Sequence, residues 1–225
     1  HHWRLDESTG ETAYDTGTNS ARYNLSFKNG SQTQPKWIVG GGVHLLNPHD
    51  TVGRNGYNGG WLEHLSNMEF DFTEGFTFVG WVRIDSQDQG DVYGPKIFWL
   101  NSFSNESSGW LHLNKKHDTT QATIIAGGAT EGIIMNSYQG LLNESPPTWR
   151  HIGITIARRD SPPGSTIIFY SNGIRHGNVA SHDNSIDSSY LGNKLRFGQS
   201  DAQPTSAEYL DGALRDLRFY NHVLL

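Results

Sequence analysis

The sequence predicts an all-β fold, a two-sheet antiparallel jelly-roll β-sandwich, and three observations carry that expectation. Runs rich in β-branched and aromatic residues recur along the chain, each fenced by Gly, Asn, Asp, Ser or Pro. Aromatic residues reach 12%, with 26 glycines and no cysteine, which suits many short strands joined by turns and fits poorly with a helical bundle. No stretch has the 3.6-residue periodicity of a long amphipathic helix.

In chain order the strand-like runs are Gly75 to Ile84 (GFTFVGWVRI), Lys96 to Leu100, Gly109 to Leu113 and Ala122 to Ala126. Further on come Trp149 to Ala157 (WRHIGITIA), Ser165 to Tyr170, Lys194 to Phe197 and Leu214 to Tyr220. Asn172-Gly173 supplies the two positive φ angles of a tight hairpin turn inside TIIFYSNGIRH. Pro162-Pro163-Gly164 forces another turn before it, so Trp149 to His176 reads as three consecutive antiparallel strands. Trp37 to Trp61 (WIVGGGVHLLNPHDTVGRNGYNGGW) is Gly-rich with short apolar patches and reads as a long functional loop. Trp81, Trp110 and Trp149 fall inside strand patterns and are expected in the core, with His112 and His151 as packing residues.

At 225 residues the expected organisation is one domain over 1–225, with a Gly-rich loop insertion around 45–60, since all-β sandwiches often run to this length. Zero Cys removes disulfides, thiolate metal sites and Cys nucleophiles. A net charge of −6 with scattered Lys and Arg argues against nucleic acid, which needs a clustered basic footprint. No apolar run approaches the ~20 residues of a membrane span, and no charged-then-apolar leader opens the chain, so a soluble piece without membrane insertion is expected. His1-His2 reads as a purification-tag remnant or as native residues, without functional weight either way.

Read in order, WRLDESTGETAYDTG at Trp3 to Gly17, the KNG, Trp37 and GGG of Lys28 to Gly42, FTFVGWVRI, WRHIGITI with IIFYSNGIRHG, and YLDGALRDLRFYNHV at Tyr209 to Val223 resemble the laminin-G-like, concanavalin A-like lectin/glucanase superfamily. The resemblance spans nearly the whole chain and departs at Leu45 to Asn58, where a short Phe-Asp-Gly turn is replaced by an insertion. It implies a calcium site where the turn after the first strand meets the approach to the last, with Asp15, Gly17, Asn19 and Asp216 as ligands and Asp211 as an extra one. Asp-Thr-Gly-Thr-Asn does supply alternate oxygens of the kind hard Ca²⁺ takes. The plainer reading is that Asp15 and Asn19 form side-chain-to-backbone turns and Asp216 caps a strand end.

A sugar site needs an aromatic face with polar groups around it. Tyr57 and Trp61, beside Asn55, Asn58, His49 and Asp50, are the candidates, although loop aromatics also serve to pin loops down. The acidic run Glu69-Phe-Asp71-Phe-Thr-Glu74 spells the carboxylate pattern of laminarinase-type glycoside hydrolases, which share the resembled fold. It runs directly into GFTFVGWVRI, however, and alternation turns Phe70 and Phe72 to the core and the three carboxylates to water.

These features lead to a non-catalytic, lectin-like recognition domain that is calcium-stabilised and binds a glycan or a cell-surface or matrix glycoprotein. Its expected setting is extracellular or on a cell or virion surface, within a larger multidomain protein. The alternatives are a protein-adhesion or structural module, and a glycoside hydrolase or polysaccharide lyase using Glu69, Asp71 and Glu74.

Overall fold

The computed structural model describes residues 1–18, 21–29, 33–46, 59–66, 68, 70, 73–85, 96–101, 110–115, 122–127, 134–138, 147–160, 163–182, 194–199 and 209–224. Its strands are β1 (His2–Trp3), β2 (Thr12–Ala13), β3 (Leu25–Lys28), β4 (Lys36–Trp37), β5 (Val43–Leu45), β6 (Trp61–Leu65), β7 (Phe76–Ile84) and β8 (Lys96–Asn101). They continue with β9 (Trp110–Lys115), β10 (Ala122–Gly127), β11 (Ile134–Tyr138), β12 (Arg150–Asp160), β13 (Pro163–Ser171), β14 (Ile174–His182), β15 (Lys194–Phe197) and β16 (Gly212–Tyr220).

Two antiparallel sheets result. One runs β14-β13-β12-β7-β16-β5-β4, with β1 also paired to β16; the other runs β11-β10-β9-β8-β15-β6-β3-β2. The expected sandwich is therefore present. Chain start and chain end meet, because His2 pairs with Arg218 and Trp3 with Leu217. β12, β13 and β14 form the expected meander, and Asn172 (φ 49°) with Gly173 (φ 78°) makes the hairpin turn. Asp160 pairs with Pro163, so β13 begins within the Pro-Pro-Gly run expected to be turn.

Period-two alternation decides what each strand buries. In β7, Phe76, Phe78, Val82 and Ile84 are buried while Val79, Trp81 and Arg83 are only partly so. Phe78 and Phe219 from the first sheet meet Phe98 and Phe197 from the second at the centre of the sandwich. The ring centroids are 4.8 Å apart for Phe78–Phe98, 5.2 Å for Phe98–Phe219 and 5.9 Å for Phe197–Phe219. Such pairs add ~0.5–1.5 kcal/mol each beyond their burial.

Two tryptophans expected in the core lie elsewhere. Trp81 is on the outer parity of β7, with its ring 5.2 Å from that of His151, and Trp149 sits under the Arg83 guanidinium at 5.4 Å. Alternation is the reason: β7 gives its inward positions to Phe78, Gly80 and Val82, which leaves Trp81 outside. His151 does pack, against Trp81, and burial pulls its pKa below the usual histidine value. The side chains of Trp110 and His112 lie outside the described residues.

Candidate ligand-recognition surface

The Gly-rich stretch from Trp37 to Trp61 is not one loop. It contributes the end of β4 and all of β5 to the first sheet, and its last residue opens β6 in the second. His49, Asp50, Asn55, Tyr57 and Asn58 lie outside the described residues, so of the six expected ligand contacts Trp61 alone is placed.

Trp61 is held by its neighbours on the outer face of the second sheet. Leu62 points inward and is fully buried, so Trp61 and Glu63 share the opposite face. Cross-strand register sets Glu63 beside Ser26 on β3 and Arg196 on β15, and Arg196 beside Trp99 on β8. Arg196 Nε donates to Glu63 Oε2 at 2.6 Å, and the Trp61 indole N–H donates to the same oxygen at 3.3 Å. Lys28 Nζ stands 3.9 Å from Glu63 Oε1. The Arg196 guanidinium lies 5.6 Å from the centre of the Trp61 ring, and the centre of the Tyr209 ring lies 6.2 Å from it. Burial raises the Tyr209 phenol above its usual pKa.

The result is a half-buried indole framed by a carboxylate, a guanidinium, an ammonium and a phenol. An aromatic ring beside fixed polar groups is what a sugar needs, apolar C–H surface against the ring and hydroxyls against the charges. Gly60 fixes the entry to β6, because a Cβ there would collide with the Pro35 ring. Glu63, Arg196, Lys28 and Tyr209 were not singled out from sequence. The alternation in Lys-Leu-Arg-Phe at 194–197 places Arg196 opposite Leu195 and Phe197, but which strand faces it is a matter of topology.

The expected metal residues have different partners. Asp15 is buried, and its carboxylate accepts four hydrogen bonds. The His2 and Gly17 backbone N–H groups reach Oδ1 at 3.0 Å, and His1 Nδ1 at 2.7 Å and the Tyr23 N–H at 3.1 Å reach Oδ2. Those four donors fill the acceptor sites a carboxylate has. Gly17 is required by close approach, since a Cβ would stand 3.0 Å from the His1 Cα and 3.1 Å from the Asp15 carboxylate.

Asp216 sits at a β-bulge, with φ 51° and a register shift between Arg215 and Arg218, and the bulge turns it towards His2. His2 Nε2 meets its Oδ1 at 2.6 Å, and Arg218 binds it with Nε at 3.1 Å and a terminal nitrogen at 2.9 Å. Burial alone would raise this carboxyl; the His2 and Arg218 hydrogen bonds outweigh it and hold the pKa below the usual value.

Asp15 and Asp216 are each tied to the first strand, through His1 and His2. With the four acceptor positions of Asp15 filled and three of those of Asp216 taken, this arrangement does not fit the roughly six to eight oxygens of a calcium site. Asp211 lies five residues away on the far end of β16, where its carbonyl accepts from the Asp85 N–H at 3.0 Å. Asn19 lies outside the described residues, among which no group of three or more His, Asp or Glu side chains is placed to hold a metal ion. His1 and His2, given no weight from sequence, are structural: the His1 ring is 4.5 Å from that of Tyr23 and 5.3 Å from that of Phe70.

In the acidic run, Phe70 is buried in the core, and Glu74, which strict alternation would put on the same face as Phe70, is exposed because it lies in the turn that leads into β7. Glu69, Asp71 and Phe72 lie outside the described residues.

The fold is an antiparallel two-sheet β-sandwich. A family model described as concanavalin A-like lectin/glucanases superfamily, of the laminin G-like type, matches residues 55–225, and the chain belongs to that family. No curated protein matches it by sequence.

Solved structures that resemble it share the fold at low identity. The botulinum neurotoxin serotype D binding domain is 14% identical with a TM-score of 0.59, over 100% of this chain and 48% of that one. A heptameric SAP-like pentraxin from Limulus polyphemus is 13% identical with a TM-score of 0.50, over 80% of this chain and 76% of that one. The CBM40 of a Ruminococcus gnavus IT-sialidase, solved bound to α2,3-sialyllactose, is 14% identical with a TM-score of 0.50, over 73% of this chain and 91% of that one. In the neurotoxin comparison this chain therefore spans about half of the other's length.

Proposed function

We propose that the chain is a non-catalytic recognition domain that binds carbohydrate at the Trp61 surface. The observation that carries the reading is the half-buried Trp61 ring set against the Glu63–Arg196 pair, on a fold whose family is lectin-like. Among structural neighbours, one carbohydrate-binding module was solved with a sialylated sugar and one pentraxin forms a heptamer, which supports the reading at the level of fold. A single shallow site binds weakly, so tight attachment would come from several copies or from neighbouring domains of a larger protein at the outside of a cell or virion. Glu74 stands in water, which supports a role without catalysis.

The test is a titration of the purified chain with a panel of neutral and sialylated oligosaccharides, α2,3-sialyllactose among them, repeated on Trp61→Ala. Saturable binding that weakens roughly tenfold or more in the variant supports the reading. Binding that is indifferent to Trp61 contradicts it.

A further inference from the structure

The outer face of the other sheet carries a charge pattern that a sugar-binding surface at Trp61 does not use. In the contiguous strands β14-β13-β12-β7-β16, pairing parity turns Arg83, Arg159, Arg175, Arg215 and Arg218 outward with Asp216 and no lysine, a net of +4, whereas Arg150 and Arg158 share the parity of Ile152 and Val82. The whole chain is at −6, so the rest of it stands at −10. The lysine of this sheet, Lys36, is out on the edge strand β4.

Register places these side chains in rows across the face. Arg175, Tyr170, Gly153, Val79 and Arg218 are in line from β14 to β16, and the next row holds His151, Trp81 and Arg215. Five strands at ~4.8 Å spacing span roughly 19 Å. Arg175 and Arg215 are exposed and form no ion pair among the described residues, while Arg218 and Arg83 hold Asp216 and Asp85 and so stand fixed. Gly153 leaves the middle of the row flat: Tyr170 and Val79 close over it, within 3.5 Å of where its Cβ would be.

We infer that this face docks a carboxylate-rich protein surface. Trp, Tyr and Arg are the residues enriched at protein interfaces and Lys is depleted there, as it is here. The guanidinium fork matches carboxylates in two-point contacts, and a face at +4 on a chain otherwise at −10 draws an acidic partner.

The test uses poly-L-glutamate as probe. The chain should bind it with an affinity that falls as salt is raised, because the charges at this surface are exposed and screened. The double variant Arg175→Glu/Arg215→Glu should bind at least about tenfold more weakly with an unchanged melting temperature. Lys194→Glu, a charge reversal on the other sheet, should change binding by less than about twofold. Trp61→Ala should leave this binding untouched, which separates the inference from the carbohydrate reading. Failure to bind poly-L-glutamate, equal losses in Lys194→Glu and the double variant, or tighter binding of dextran sulfate or DNA than of the polypeptide would each overturn it.

Discussion

His1 Nδ1 lies 2.7 Å from Asp15 Oδ2, and that contact closes the fourth acceptor position of a buried carboxylate. Together with the pair between His2 and Asp216, it ties the first strand to both the turn at Asp15 and the bulge in the last strand. Side chains that a metal would cross-link are cross-linked here by the protein's own imidazoles. Asp15→Ala removes the acceptor from three backbone N–H groups as well, the buried one of Tyr23 and the part-buried ones of His2 and Gly17, and each buried group left unpaired costs ~1–3 kcal/mol, so a loss of roughly 3 kcal/mol or more is expected in urea unfolding. Calcium or EDTA should leave the wild-type melting temperature unchanged, as measured by calorimetry.

Phe219 is the pivot of the aromatic core, with ring centroids 5.2 Å from both Phe78 and Phe98 and 5.3 Å from Phe76. Phe219→Ala should cost ~3–5 kcal/mol, read from the denaturation midpoint with the slope unchanged.

Gly75 precedes β7 at φ 90°, and a Cβ there would stand 2.7 Å from the Ile156 carbonyl oxygen and 2.8 Å from Val223. Gly75→Ala should therefore destabilise by more than ~1 kcal/mol, whereas Gly173→Ala, with open space around its Cβ, should cost mainly the strain of its positive φ. Comparing the two melts separates steric clash from backbone strain.

Burial holds the His151 pKa below its usual value, so the unfolded chain binds a proton at this residue more readily than the folded one. The contribution to stability is full above the unfolded value of about 6.5 and is lost as pH falls from there through the lower folded value. A pH series of melts should thus show a steeper acid-side decline in the wild type than in His151→Gln.

The fold was legible because its signals are local. FTFVGWVRI, the Asn172-Gly173 turn and the Trp149 to His176 meander all declare themselves within about a dozen residues, and all are present. Short strands were not legible: β4 and β5 hide inside a Gly-rich run because pairs or triplets of residues carry no period, and they are strands only by pairing with β16 and each other. Outward-facing tryptophans were misjudged, since an aromatic in a strand does not say which face it takes until the neighbouring Phe78 and Val82 claim the inside. The turn at Asp15 and the bulge at Asp216 both adjoin β1. The identity of what joins them depended on His1 and His2, whose role only the pairing of β1 with β16 reveals. At the recognition surface, Trp61 was visible as an aromatic among glycines, whereas Glu63 and Arg196 are 133 residues apart and meet only through sheet register.

Carbohydrate binding at Trp61, framed by Glu63 and Arg196, is read by isothermal titration of one responsive oligosaccharide into wild type, Trp61→Ala and Arg196→Lys. Saturable binding is expected in the wild type, with a loss of about tenfold or more in Trp61→Ala and a smaller loss in Arg196→Lys, which keeps the charge but not the fork. Equal affinity in all three proteins, with each still folded, would contradict it.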